Sequence, residues 1–170
     1  MAWNHPLQIP SKDHAELVFN LLPKLGTDNG INMGVVHGGV ILGTLQLSNP
    51  TQPELTALDV SALADSGAVH LCIPEHLAIQ PKLSELERRE VVLADGHRRT
   101  VPYVGPAEVR FANRRCFTGA LVLGNEVLLG AIPMEDMDLV LRPQLQSLEV
   151  NPESPNIPLS LAKEIGRAHV

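Results

Sequence analysis

The chain has 170 residues and a mass of 18.4 kDa, enough for one domain with a real core and hardly enough for two. With 44% hydrophobic residues, 14 prolines and 13 glycines, the composition suits short strands joined by tight turns, so an all-β class is expected. A net charge of −6 excludes the basic stripe that nucleic-acid phosphates need, and no window approaches 18 uninterrupted apolar residues, so neither nucleic acid nor membrane is an expected partner and a cytoplasmic location is.

Residues 1–32 read as an N-terminal extension, disordered or from a mis-assigned start. A short helix over Lys12–Leu22 behind Ser11 is broken by Pro23, Gly26 and Asp28-Asn29-Gly30. The domain itself is expected over residues 33–163. Val40–Leu47 is strand-like, Ser48-Asn49-Pro50 turns, and Leu55–Ala64 is a second apolar-rich run. Val69–Ile73 follows as a third strand, with Pro74 in the first turn of a short helix reaching Gln80. The mixed charges of Glu85–Glu90, ELERRE, read as a solvated loop or helix end. Glu90–Ala94 and His97–Val104 form a hairpin about Asp95-Gly96, a pair that supplies positive φ angles cheaply. Val109–Ala112 pairs with Cys116–Leu123 about Asn113-Arg114, and Val127–Leu129 stops at Gly130. Pro133–Met137 is a helical turn, and Leu139–Val150 a last strand or hairpin around Pro143. Cys72 and Cys116 lie inside apolar runs and read as buried thiols, not a disulfide. The last seven residues, Glu164–Val170 (EIGRAHV), coincide with one reading frame of a common short-read sequencing adapter and are set aside as a non-native tail.

Ala62–Pro74, ALADSGAVHLCIP, carries the chemistry. Asp, Ser and Gly are ordinary turn residues, but here LDVSALA precedes them and AVHLCI follows, which sets Asp65 among apolar strands. A buried carboxylate is costly and is usually tolerated where its proton is used. Leu63-Ala64-Asp65-Ser66-Gly67-Ala68, Leu128-Leu129-Gly130 before a short helix, and the intervening hairpin together resemble, in order and spacing, the retropepsin-like aspartic peptidases of the prokaryotic single-domain type. The resemblance spans roughly Met33–Lys163.

It implies an acid-protease β-barrel with one or two short helices, one lobe per chain. The implied activity is endopeptidase cleavage by a water activated between two Asp65 carboxylates, one basic and one protonated, with no cofactor and no metal. Because the chain holds one such motif, the active unit is expected to be a homodimer acting on a peptide or protein substrate. Asp65 is then catalytic, while Ser66, Gly67, Ala68 and Gly130 support the active-site loop. Ala94, Asp95, Gly96 and His97 form a flap over an extended substrate. The flap tip departs from the glycine-rich tips of retroviral relatives, and the arginine that follows the second glycine in those relatives is missing. A dimeric barrel that binds a peptide or partner without cleaving it is the alternative.

Rival constellations are weaker. His70, Cys72, Glu75 and His76 lack a second ligand pair at a useful spacing, and Ser66 with His70 lacks the Gly-x-Ser-x-Gly elbow of a serine hydrolase.

Overall fold

The computed structural model describes residues 35–37 and 40–162. Among the described residues, ten strands and two short helices follow in chain order: β1 (Val35–His37), β2 (Val40–Ser48), β3 (Leu58–Ala64), β4 (Leu71–Ile73), α1 (Glu75–Ile79), β5 (Ser84–Val92), β6 (Arg98–Phe111), β7 (Arg114–Val122), β8 (Val127–Leu129), α2 (Ala131–Asp136), β9 (Leu139–Arg142) and β10 (Ser147–Val150). The expected class, mostly β with two short helices, is the one observed. The helix expected over Lys12–Leu22 and the tail at Glu164–Val170 lie outside the described residues.

Alternation drives the strands. In β2, Ile41, Leu45 and Leu47 point into the core while Thr44 and Gln46 face solvent, the period of two that lets a sheet bury one face. Pairing runs β1-β2-β3-β8-β4-β7-β6-β5, and β2 also pairs with β6 through Gln46–Arg110, Leu47–Val109 and Ser48–Glu108. That last contact closes β2, β3, β8, β4, β7 and β6 into a six-stranded mixed barrel, which removes two sheet edges. Leu45, Leu47, Ile73, Phe111, Leu129, Met137 and Leu148 fill it, each at most 2% exposed. The hairpin of β9 and β10 contributes Leu148 to the core, against Gly43 of β2.

Three expectations are corrected. ELERRE is neither loop nor helix end: it lies in β5, an edge strand paired only with β6, where charged side chains stand in water and discourage further pairing. Second, the strands expected at His97–Val104 and Val109–Ala112 are one strand, β6, because pairing with β7 resumes at Ala107 after a register shift beyond Val104. Third, the hairpin tip is not a two-residue turn. Leu93 N–H donates to His97 O and Gly96 N–H to Leu93 O, at 2.8 Å each, which encloses Ala94, Asp95 and Gly96. Only Gly96, at φ +83°, adopts the left-handed conformation, as a three-residue loop requires. Smaller differences are that β3 begins at Leu58, that β4 begins at Leu71, and that Pro74 caps α1 from outside its first turn.

Past β10 the chain runs back over the barrel. Arg114 on β7 is buried and donates through Nη2 to Ser154 O, and Asn113 Nδ2 donates to Pro155 O at 2.8 Å. Asp138 accepts from Asn151 Nδ2 at 2.9 Å, Leu159 N–H at 2.8 Å and Ser154 Oγ.

Candidate active site

Strand β8 lies between β3 and β4, parallel to β3 and antiparallel to β4, although it follows them by more than fifty residues. The loop leaving β3 must therefore turn over the end of β8, and this turn holds Asp65-Ser66-Gly67. Asp65 N–H donates to Leu129 O at 3.1 Å, which continues the β3–β8 ladder by one residue and fixes where the carboxylate emerges. Asp65 is 7% exposed. Its Oδ1 accepts the Gly67 N–H at 2.8 Å, and its carbonyl accepts from Ala68 N–H at 3.2 Å, so the turn is closed on the aspartate itself.

The second motif braces the first. Ala131 N–H donates to Ala68 O at 2.8 Å and Ile132 N–H to Val69 O at 3.0 Å, so the start of α2 takes up the carbonyls of the loop. Gly130 passes so close behind this loop that a Cβ there would lie 2.7 Å from the Val69 carbonyl carbon and 2.8 Å from His70 N, and nearer still to His70 O. Asp65, Ser66, Gly67, Ala68 and Gly130 are thus brought together, with the Ser66 side chain exposed.

Ala94, Asp95, Gly96 and His97 occupy the hairpin tip, in solvent. Asp95 Oδ1 accepts the His97 N–H at 2.9 Å and Oδ2 meets His97 Nδ1 at 3.0 Å. These bonds from the His97 side chain and backbone hold the Asp95 carboxyl below its ordinary range. Among the described residues, no hydrogen bond or ion pair joins this tip to the Asp65 loop.

The hairpin instead reaches the chain just beyond the loop, through Arg89 and Tyr103 on the hairpin and His70 before β4. The Arg89 guanidinium stacks 3.6 Å from the centre of the Tyr103 ring, and its Nη1 lies 3.4 Å from His70 Nε2. His70 also meets Tyr103 edge-on, with ring centres 5.9 Å apart. Burial and the Arg89 guanidinium pull the His70 imidazole below its usual pKa. Gly119 on β7 leaves the space in which the Tyr103 ring lies. Beneath them, Cys72, Val101 and Leu121 form a buried floor with Val91, Tyr103 and Leu128 against it. Burial, and then the nearby Asp65 charge, push the Cys72 thiol up to about 11. Cys72 and Cys116 are both free and buried, as their apolar flanks suggest. Glu75 and His76 are exposed on α1, away from this floor, and no three His, Cys, Asp or Glu side chains among the described residues are grouped to hold a metal.

Fold and site together define a six-stranded barrel with one Asp-Ser-Gly turn per chain and a hairpin whose Arg89 reaches His70, five residues beyond Asp65. The chain is similar to the simian foamy virus (mac) protease, at 17% sequence identity over 54% of this chain and 90% of that one, with a TM-score of 0.35. It is similar also to a Legionella pneumophila protein of unknown function (DUF785), at 17% identity over 56% of this chain and 85% of that one, with a TM-score of 0.32. No family model and no curated protein matches.

Proposed function

We propose that this chain is an aspartic endopeptidase acting as a homodimer, with Asp65 of each copy meeting at a two-fold axis. The observation that carries the reading is the Asp65 carboxylate itself, nearly buried at the end of β3 and aimed by the Gly67 N–H and the β8 ladder, not left at a solvent rim. Such a carboxylate suits a water-activating role once a second carboxylate shares its proton, because two like charges a few ångströms apart cannot both ionise. One Asp65 then takes the proton of the attacking water while the other, protonated, polarises the scissile carbonyl.

Support for a second copy comes from the loop's neighbours. Val69 is 56% and Ile132 46% exposed, two apolar side chains hydrogen-bonded through their backbones directly beside the Asp65 turn. Exposed Ile157, Leu159 and Leu161 alternate along the segment after β10, as a strand seeking a partner would. In this arrangement Ser66 fixes one loop against the other, and Ala94–His97 cover the substrate.

The test is cleavage of a mixed peptide library between about pH 4 and 7 by the wild type and by Asp65→Asn, which keeps the shape and removes the acid. The proposal expects cleavage by a dimer and loss of at least about a hundredfold in the variant. Cleavage that survives Asp65→Asn refutes it, and peptide binding without cleavage by either protein identifies a binding domain.

A further inference from the structure

The inner face of the β5–β6 hairpin carries charge where the floor beneath it is apolar. Register sets this face: Glu87 lies opposite Tyr103, Arg89 opposite Val101 and Val91 opposite Arg99, and residues two apart on a strand point the same way. Val91, Val101 and Tyr103 of this face pack on Cys72 and Leu121, which continue through the Cys72–Leu128 pair toward Leu129 and Asp65. Arg89 therefore stands on the hairpin face that packs over this floor, and its contact with His70, five residues after Asp65, ties that face to the Asp65 loop.

The guanidinium is oriented rather than free. Tyr103 supports one face of it, and Gly119 gives Tyr103 its place. Neutral His70 can accept one N–H. The Arg89 Nε is paired with the Glu87 carboxylate two residues earlier on the strand, while the Arg89 side chain remains 34% exposed. Glu87 is 52% exposed and its tie to Arg89 spans a single turn of the pleat, so a carboxylate arriving from solvent can replace it with little loss. A planar fork already engaged by one carboxylate has the geometry that recognises another.

We propose that Arg89, positioned by Tyr103 and His70, is a specificity determinant that selects peptides with an Asp or Glu side chain near the scissile bond, Glu87 holding that place when no substrate is bound. The inference rests on the peptidase reading for its location and is tested without catalysis.

Full-length Asp65→Asn protein is equilibrated with an equimolar octapeptide library, and the bound fraction is read by mass spectrometry. Enrichment of Asp and Glu over Asn and Gln of about tenfold or more is expected at one position. In the Asp65→Asn, Arg89→Gln double variant that ratio should fall about tenfold, and Arg89→Glu in the same background should turn it toward Lys and Arg. Arg89→Lys, which keeps the charge and the fold but not the fork, should retain part of the preference. An Asp65→Asn protein that binds peptides with no acidic preference, or binds none, overturns the proposal. So does a preference that Arg89→Gln leaves intact. Because Asp65→Asn is inert under the peptidase reading, a failed acidic preference leaves that reading to its own cleavage test.

Discussion

Gly130→Ala puts the coupling of the two motifs under direct strain. The new Cβ would lie 2.7 Å from the Val69 carbonyl carbon and 2.8 Å from His70 N, more than half an ångström inside the 3.4 Å at which ordinary contact begins. These atoms are backbone, so no side-chain rotation relieves the overlap, and the loop must move away from α2. Small-to-large changes in packed sites cost about 1–3 kcal/mol, and here the upper end applies, about 3 kcal/mol. For a domain of this size that is a fall in Tm on the order of 10 °C. The same movement pulls Ala68 O from Ala131 N and Val69 O from Ile132 N, the two bonds that brace the Asp65 turn against α2, so cleavage should fall further than stability alone accounts for. Gly96→Ala is the control: its Cβ meets nothing within 4 Å, but φ is +83°, so its cost is backbone strain of about 1 kcal/mol. Thermal and urea unfolding of both variants, with cleavage rates beside them, make the comparison. A Gly130→Ala protein within about 0.5 kcal/mol of wild type would refute the close passage on which the site is built.

Two further predictions concern titration and thiol chemistry. Ser154, the Leu159 N–H and Asn151 lower the Asp138 carboxyl from its ordinary 3.8 to about 2. Its folded-state pKa is depressed, so its stabilisation is present above the unfolded value and lost as pH falls from about 4 through about 2. Asp138→Asn should flatten acid unfolding in that window, measured by circular dichroism; an unchanged acid limb would contradict the tie. Burial, then the charge of Asp65 and of Asp136 respectively, raises the Cys72 and Cys116 thiols to about 11 and about 12. Both should therefore react with a thiol reagent at pH 8 only as the domain opens, with rates that rise in urea. Rapid labelling of the native protein at either position would contradict their burial.

The turn after β3 is legible because an acid, a hydroxyl and a glycine interrupt two apolar runs, and Leu128-Leu129-Gly130 ends a strand abruptly before a helix. Strand order was not legible. Nothing in the period of β3, β4 or β8 says that the third slips between the first two, since all three are simply apolar and a long-range pairing leaves no local mark. Arg89 is hidden in the sequence for a related reason. Its strand is an edge, and its charges, which suit an edge, look like those of a solvated loop until the hairpin register is fixed. Counting back from Gly96 then sets Arg89 opposite Val101, so the missing information was the turn type, not the residues. The opposite holds at Gly105-Pro106, a glycine and a proline of the kind that end strands but that β6 absorbs with a register shift.

Subunit mixing counts how many Asp65 carboxylates one site needs. Wild-type and Asp65→Asn chains are co-refolded in equal amounts at constant total concentration, and the cleavage rate is compared with that of wild type alone. If each site needs an Asp65 from both copies, only wild-type pairs are active and about one quarter of the rate remains, with the remainder falling as the square of the wild-type fraction. Half the rate, falling in simple proportion to the wild-type fraction, would mean that each chain carries a complete site and would contradict the account.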